Sequence, residues 1–218
     1  AGIQLNIGGR GLNPSRSANF NTRQNNYDIS ADVLGYPESY YSPPAEALKQ
    51  IQIIRGAASL QYGTQFGGLV NFIFKKPVTN KKIEFLTRNT IGSNSLITNF
   101  SSLSGTINKA SYYTFLNYKK GDGFRPNSKF KSLNLFTFLN YNLTEKTKLQ
   151  IEVTYLNYLA QQAGGLTDKM FIDNPLQSNR SRNWFKVNWF LHSTKLLYKK
   201  NTKTDFSLNL FGLSAHRY

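Results

Sequence analysis

Along much of this chain, apolar and polar side chains alternate with a period of two. That is the pattern of a strand whose two faces meet different surroundings. Lys148–Tyr155 is the clearest case: Leu149, Ile151, Val153 and Tyr155 fall on one face, and Gln150, Glu152 and Thr154 on the other. In Thr204–Phe211, Phe206, Leu208 and Leu210 oppose Asp205, Ser207 and Asn209. In Trp184–His192, Phe185, Val187, Trp189 and Leu191 oppose Lys186, Asn188 and His192, while Phe190 interrupts the polar face. Roughly seven such segments, each near the ~10 residues of a membrane-spanning β-strand, are predicted. They are Lys82–Ile91, Ser95–Ile107, Ala110–Lys120, Lys131–Leu143, Lys148–Leu159, Trp184–Lys199 and Thr204–His216.

Before Lys81 the pattern is different. Ile3, Leu5 and Ile7 alternate with Gln4 and Asn6, predicting a strand within Ala1–Gly11. Ser17–Pro44 reads as polar and irregular, with Tyr27, Tyr36, Tyr40 and Tyr41 among prolines. Pro44–Gln50 predicts a short helical turn. Ile51–Pro77 reads as strand, tight glycine turn, strand: β-branched Ile51, Ile53 and Ile54 come first, and Leu69–Phe74 is the second apolar run. Gly63, Gly67 and Gly68 between them mark backbone that needs positive φ or close approach. Pro77 ends the second run because proline cannot continue a ladder.

The connections differ in length. Asn142–Lys148 is short, whereas Lys120–Phe130 and Gln161–Asn183 are long. Short turns on one side and long loops on the other are a property of outer-membrane barrels. A soluble β-sandwich also alternates, so alternation alone does not decide between the two.

Composition narrows the choice. There is no cysteine among the 218 residues, which excludes a disulfide framework and a thiolate metal site. The mean hydropathy is −0.44, and no apolar run approaches the ~18 residues of a transmembrane helix. A β-barrel needs no such run, because lipid-facing residues alternate with polar ones. The formal net charge of +16 suggests a nucleic-acid binder at first sight. The basic residues, however, are spread from Arg10 to Arg217, and lysines gather at predicted turns, at Lys75, Lys76, Lys81, Lys82, Lys119, Lys120, Lys199, Lys200 and Lys203. Such rims suit anionic ligands or anionic lipid. No enzyme constellation is visible: His192 and His216 are the only histidines, without an H-E-x-x-H pattern or a triad around them. His192 is read as a lumen or interface residue. The chain begins and ends within strand-like patterns and reads as a window of a longer protein.

The stretch Ile51–Asn71 carries a resemblance. Ile51, Ile53, Arg55, Gly56, Ser59, Tyr62, Gly63, Gly67, Gly68, Val70 and Asn71 stand at the spacing of the end of the plug in TonB-dependent outer-membrane receptors. Gln52 departs from that pattern, where an acidic residue is usual. "RGLNPSRS" (Arg10–Ser17), "GGLTD" and "QSNRSRNWF" resemble the ferric-dicitrate-receptor branch. The glycan-importing branch usually has "K-D-A" where this chain has Arg55-Gly56-Ala57.

The resemblance implies a mostly β fold: a plug domain inside a large antiparallel transmembrane β-barrel of ~22 strands, of which only the first several are present here. Residues 1–80 are then the C-terminal part of the plug and residues 81–218 the first barrel strands. It implies no enzyme and no cofactor, but active transport of an iron(III) chelate, a siderophore-type cargo with ferric dicitrate foremost, across the outer membrane of a Gram-negative bacterium. The alternative is a passive outer-membrane barrel or surface-binding protein without energised transport. The implied partners are TonB with ExbB and ExbD, acting through a TonB box that precedes Ala1, and outer-membrane lipid and lipopolysaccharide, with no nucleic acid. Arg16, Gln65, Arg125, Arg180 and Arg182 are candidate ligand contacts. Arg10 and Arg55 match plug arginines that pair with barrel glutamates and lock the plug.

Overall fold

The structure, a computed structural model, describes residues 19–31, 40–56, 61–63, 65 and 67–218. The larger of its two sheets has seven antiparallel strands in plain sequence order. These are β5 (Glu84–Gly92), β6 (Leu96–Ile107), β7 (Ala110–Gly121), β8 (Phe130–Asn142), β9 (Thr147–Gln161), β10 (Trp184–Lys199) and β11 (Asp205–Arg217). All seven alternating segments of the sequence are strands, with ends shifted by at most two residues. Connections at one end are residues 108–109, 143–146 and 200–204; at the other they are 93–95, 122–129 and 162–183. The two long loops therefore share one end, as their lengths predict.

The smaller sheet has the order β2-β1-β4-β3, from β1 (Phe20–Gln24), β2 (Tyr27–Asp28), β3 (Leu48–Ile54) and β4 (Gly68–Phe74). β3 and β4 pair antiparallel, as the apolar runs predict. Three expectations need correction. Ser17–Pro44 is not irregular throughout, because β1 and β2 lie within it and β1 pairs parallel with β4. Their sequence is polar, so periodicity gave no signal. The missed signal is Asn25-Asn26: both residues have positive φ, 45° and 77°, and they join Gln24 to Tyr27 as a two-residue hairpin loop. The helical turn of Pro44–Gln50 is only Ala45–Ala47, with β3 already under way at Leu48. β3 ends at Ile54 and β4 begins at Gly68, so what joins them is longer than a tight turn. The close approaches expected at its glycines are present: a Cβ on Gly67 would lie 2.5 Å from the Asn19 carbonyl, and Gly68 (φ +123°) would clash with the Ile54 carbonyl. The strand predicted within Ala1–Gly11 lies outside the described residues.

Alternation now acquires a direction. On β8, Ser132, Asn134 and Phe136 are buried on the inner face while Leu135, Leu139 and Tyr141 face outward. On β9, Glu152, Thr154, Leu156 and Tyr158 face inward, so Leu149, Ile151, Val153 and Tyr155 form part of the outer face. β10 behaves differently along its length. Its first half turns Val187, Trp189 and Leu191 inward, all at most 2% exposed, and its second half turns Leu196 and Tyr198 outward. Period-two sequence fixes the partition of side chains between two faces, not which face is inside. His192, between buried Leu191 and Ser193, is exposed on the outer face and not on the lumen side.

The core lies between the sheets. Phe74, at the end of β4, packs edge-on against Phe136 at 4.5 Å and lies 6.0 Å from Phe115. Phe115 stacks on Phe136 and lies 5.4 Å from Phe100. Three strands of the wall thus present a ring cluster to one residue of the small sheet, which meets it edge-on, a geometry that aromatic quadrupoles favour.

Candidate functional site

The small sheet is held by polar contacts in its interior. Asn71 Nδ2 donates to Asn26 Oδ1 (2.7 Å) and Gln52 Oε1 (2.9 Å), and its Oδ1 accepts from the Asn26 amide (3.1 Å). Gln52, the departure from the family pattern, thus still serves as an acceptor. Arg23 donates to Asn21 Oδ1, the Asn26 carbonyl and the Tyr62 carbonyl, and lies 5.1 Å from the Tyr62 ring centre. It therefore ties the described part of the β3–β4 connection to the β1–β2 hairpin. Asp28 accepts from Asn21 Nδ2 at 2.7 Å and from the amide and hydroxyl of Ser30.

The hairpin turn then meets the wall. Asn25 Nδ2 donates to Glu152 Oε2 on β9 at 2.9 Å, and its Oδ1 accepts from the Phe74 amide at 3.0 Å. Gln24 Nε2 donates to Thr154 Oγ1 (3.1 Å) and Tyr27 Oη (2.6 Å). Burial first, and the nearby Glu152 charge second, push the Tyr27 phenol above its ordinary range. Burial does the same to Tyr41, against a hydrogen bond with Asn134 that favours ionisation. Both phenols stay neutral and remain able to donate. Farther along, Arg217 Nη1 donates to Tyr40 Oη at 2.8 Å, and Tyr40 packs against Phe185 and Trp189. Glu46, in the turn before β3, lies 3.8 Å from Arg88 of β5.

The long loops pack on each other. Arg125 Nη2 donates to the Gly164 carbonyl at 2.5 Å. Asn127, at φ 55°, donates through Nδ2 to the carbonyls of Gln162, Arg180 and Asn183 at 3.0, 2.9 and 2.9 Å. Within residues 162–183 a short helix, α1 (Asp168–Asp173), starts from Thr167, whose side chain accepts from the Met170 amide. In residues 122–129, a hydrogen bond from Ser95 and then the Lys129 charge hold the Asp122 carboxyl below its usual range.

Of the predicted site residues, Arg10 and Arg16 lie outside the described residues. Gln65 is in the β3–β4 connection, half-buried beside Gly63 and Asn21. Arg125 is half-buried in one long loop, and Arg180 and Arg182 are exposed in the other. Asn127 draws the two loops together through the Arg180 backbone. Arg55 is exposed at the end of β3. The sequence reading missed Asn25, Glu152, Glu46, Arg88 and Asn127. Glu152 had a signal, as the one carboxylate on the polar face of the clearest strand. Asn127 had none beyond its place in a loop.

The chain is similar in structure to the ferric citrate transporter FecA in its unliganded form. The TM-score is 0.84 at 22% identity, over 99% of this chain and 34% of that one. It is also similar to the ferric-catecholate import receptor Fiu from E. coli K12 (0.72, 12%, over 97% and 33%) and to the siderophore receptor PirA from Pseudomonas aeruginosa (0.64, 16%, over 96% and 35%). The chain spans about a third of the length of these solved relatives. No protein-family model matches it, and no curated protein does. The likeness establishes the fold, a plug sheet seated against consecutive strands of a barrel wall.

Proposed function

We propose that this chain is part of a TonB-dependent receptor that takes up a ferric chelate, with ferric dicitrate as the cargo, across the outer membrane of a Gram-negative bacterium. The observation that carries the reading is the four-stranded sheet packed on the inner face of a wall whose outer face bears Leu135, Leu139, Tyr141, Leu196 and Tyr198. A filled barrel blocks diffusion, so passage requires work on the plug. TonB with ExbB and ExbD supplies that work in this reading, and residues up to about 80 belong to the plug.

Arg125, Arg180 and Arg182, with Gln65 and Arg16, would meet the anionic chelate from the long-loop side. Guanidinium groups suit carboxylates through paired charge-assisted hydrogen bonds. The exposure of Arg180 and Arg182 supports that role, and so does the cargo of the similar transporter FecA, ferric citrate. Arg55 and Arg10 would lock the plug to later barrel strands. The plug–wall contacts support this reading over a passive barrel, which needs no movable plug.

The test is binding of ferric citrate, iron-free citrate and a ferric hydroxamate to the full-length, detergent-solubilised protein. Selective binding of ferric citrate is expected. Preference for the hydroxamate would overturn the dicitrate assignment, and binding of no ferric chelate would overturn the uptake reading.

A further inference from the structure

Below the aromatic cluster, on the side of the short turns, the plug does not fill the space beside the wall. A cavity of ≈ 630 Å³ lies between Asn25, Asn26 and residues 73–77 of the plug and the inner faces of β7–β11. That volume is in the ~300–1,000 Å³ range of small-molecule sites. Its wall side is polar across neighbouring strands: Asn140 donates to Ser111 (3.3 Å), Gln150 to Asn140 (3.2 Å) and Ser193 to Asn209 (2.8 Å). This is the opposite of the upper inner face, where Val187, Trp189 and Leu191 are buried and Trp189 packs against Tyr40.

The charges around the cavity are unequal. Lys75, Lys76, Lys148 and Lys195 line it, against one carboxylate, Glu152. Glu152 is already hydrogen-bonded to Asn25. Among the described residues no ion pair within 4.0 Å takes any of the four lysines. Lys148 and Lys195 alternate with outward-facing Leu149 and Leu196, so they face the lumen and not lipid headgroups. Cations converging on a low-dielectric concavity focus a positive potential there.

We propose that this cavity is an anion-accepting transit chamber, which receives a polycarboxylate chelate after it has left the long-loop side and before it leaves at the short-turn side. The inference rests on the uptake reading above. The β1–β2 turn forms its upper edge through Asn25–Glu152 and Gln24–Thr154, so movement of that turn off β9 opens the chamber toward the plug.

The chamber is tested first without transport. In a background without other cysteines, Gln150→Cys in the full-length protein reports the potential through its reaction with anionic and cationic thiol reagents of equal size. The anionic reagent should react about tenfold faster, the low end of steering effects. The preference should vanish in Lys148→Gln/Lys195→Gln and persist in Lys148→Arg/Lys195→Arg. Equal rates in the parent would overturn the chamber. The second arm measures ferric citrate in cells. The Gln pair should slow uptake about tenfold, by the same steering argument, and leave affinity at the outer face unchanged. Unchanged uptake, or affinity lost in parallel, would overturn the transit role. A parent protein that binds no ferric chelate fails the uptake reading instead, and the thiol rates report that case separately.

Discussion

Asn71 is 2% exposed and uses both amide hydrogens and its oxygen. It joins three elements: β4, which carries it, β3 through Gln52, and the β1–β2 turn through Asn26. Leucine has nearly the same shape and none of these bonds. Asn71→Leu therefore leaves the Asn26 side chain and the Gln52 oxygen without their partner; both residues are exposed, so water replaces it and the loss is about 0.5–1.5 kcal/mol for each bond. Asn25 sits in the same turn and reaches Glu152, so the loss is expected to loosen the plug–wall seam as well. Hydrogen exchange should show faster opening of β4 and of the turn, with β7 and β8 unchanged. Protection of β4 at the parent level would mean that the amide is dispensable.

At the scale of the strand, neighbours on β8 test the assignment of faces. Leu139 is exposed on the outer face, and Asn140 lines the cavity. A lysine on the lipid face costs about 2–4 kcal/mol at the bilayer midplane and less near its rims. Leu135, exposed on the same outer face midway along β8, is the position to change: Leu135→Lys should lower the yield of inserted, heat-resistant protein in liposomes, while Asn140→Lys, on the inner face, should insert like the parent. Equal penalties would mean that the two faces are not lipid and lumen. This partition was legible because strands of a wall repeat one rule for many residues. β8 and β9 could be read from Leu and Ile against Asn, Gln and Glu. The direction of β10 could not, because its apolar half meets a plug and not lipid, and composition does not distinguish the two. β1 was hidden for a related reason: Asn21, Thr22 and Gln24 are polar yet buried, with Asn21 bonded to Asp28 and Arg23 and Gln24 Nε2 to Thr154 and Tyr27. The loop contacts were hidden because Asn127 acts on backbone carbonyls whose positions only the fold supplies. The ligand-contact candidates rest on side-chain chemistry alone, with Arg16 outside the described residues.

Over the whole molecule the charge of +16 divides between the two surfaces. Lys148 and Lys195 face the lumen. Lys120, Lys131 and Lys186 face outward near the long-loop end: Lys120 pairs with Lys131, Lys131 with Leu159 and Leu159 with Lys186 across β7–β10. Aromatic rings accompany the row, with Lys131 5.9 Å from Tyr118 and Lys186 5.2 Å from Tyr218. Lys131 and outward-facing Tyr141 are about ten residues apart on β8. At ~3.3 Å per residue and ~40° of tilt they are about 25 Å apart in height, which is that of the apolar band of such barrels. In the uptake reading, the lysine row would meet lipid phosphates at one rim while Tyr141 would mark the other. Each such lysine contributes about 1 kcal/mol beside an anionic surface, and salt screens it. Replacing Lys120, Lys131 and Lys186 with Gln should therefore remove most of the rise in thermal stability that the full-length protein gains on moving from zwitterionic to phosphate-rich anionic lipid. The effect should shrink as salt is raised. The charge-selective thiol rates at Gln150→Cys should not change, because those lysines lie on the other side of the wall. A triple variant that keeps the full lipid response would show that the row carries no headgroup contact, and a change in the thiol rates would show that the two fields are not separated by the wall.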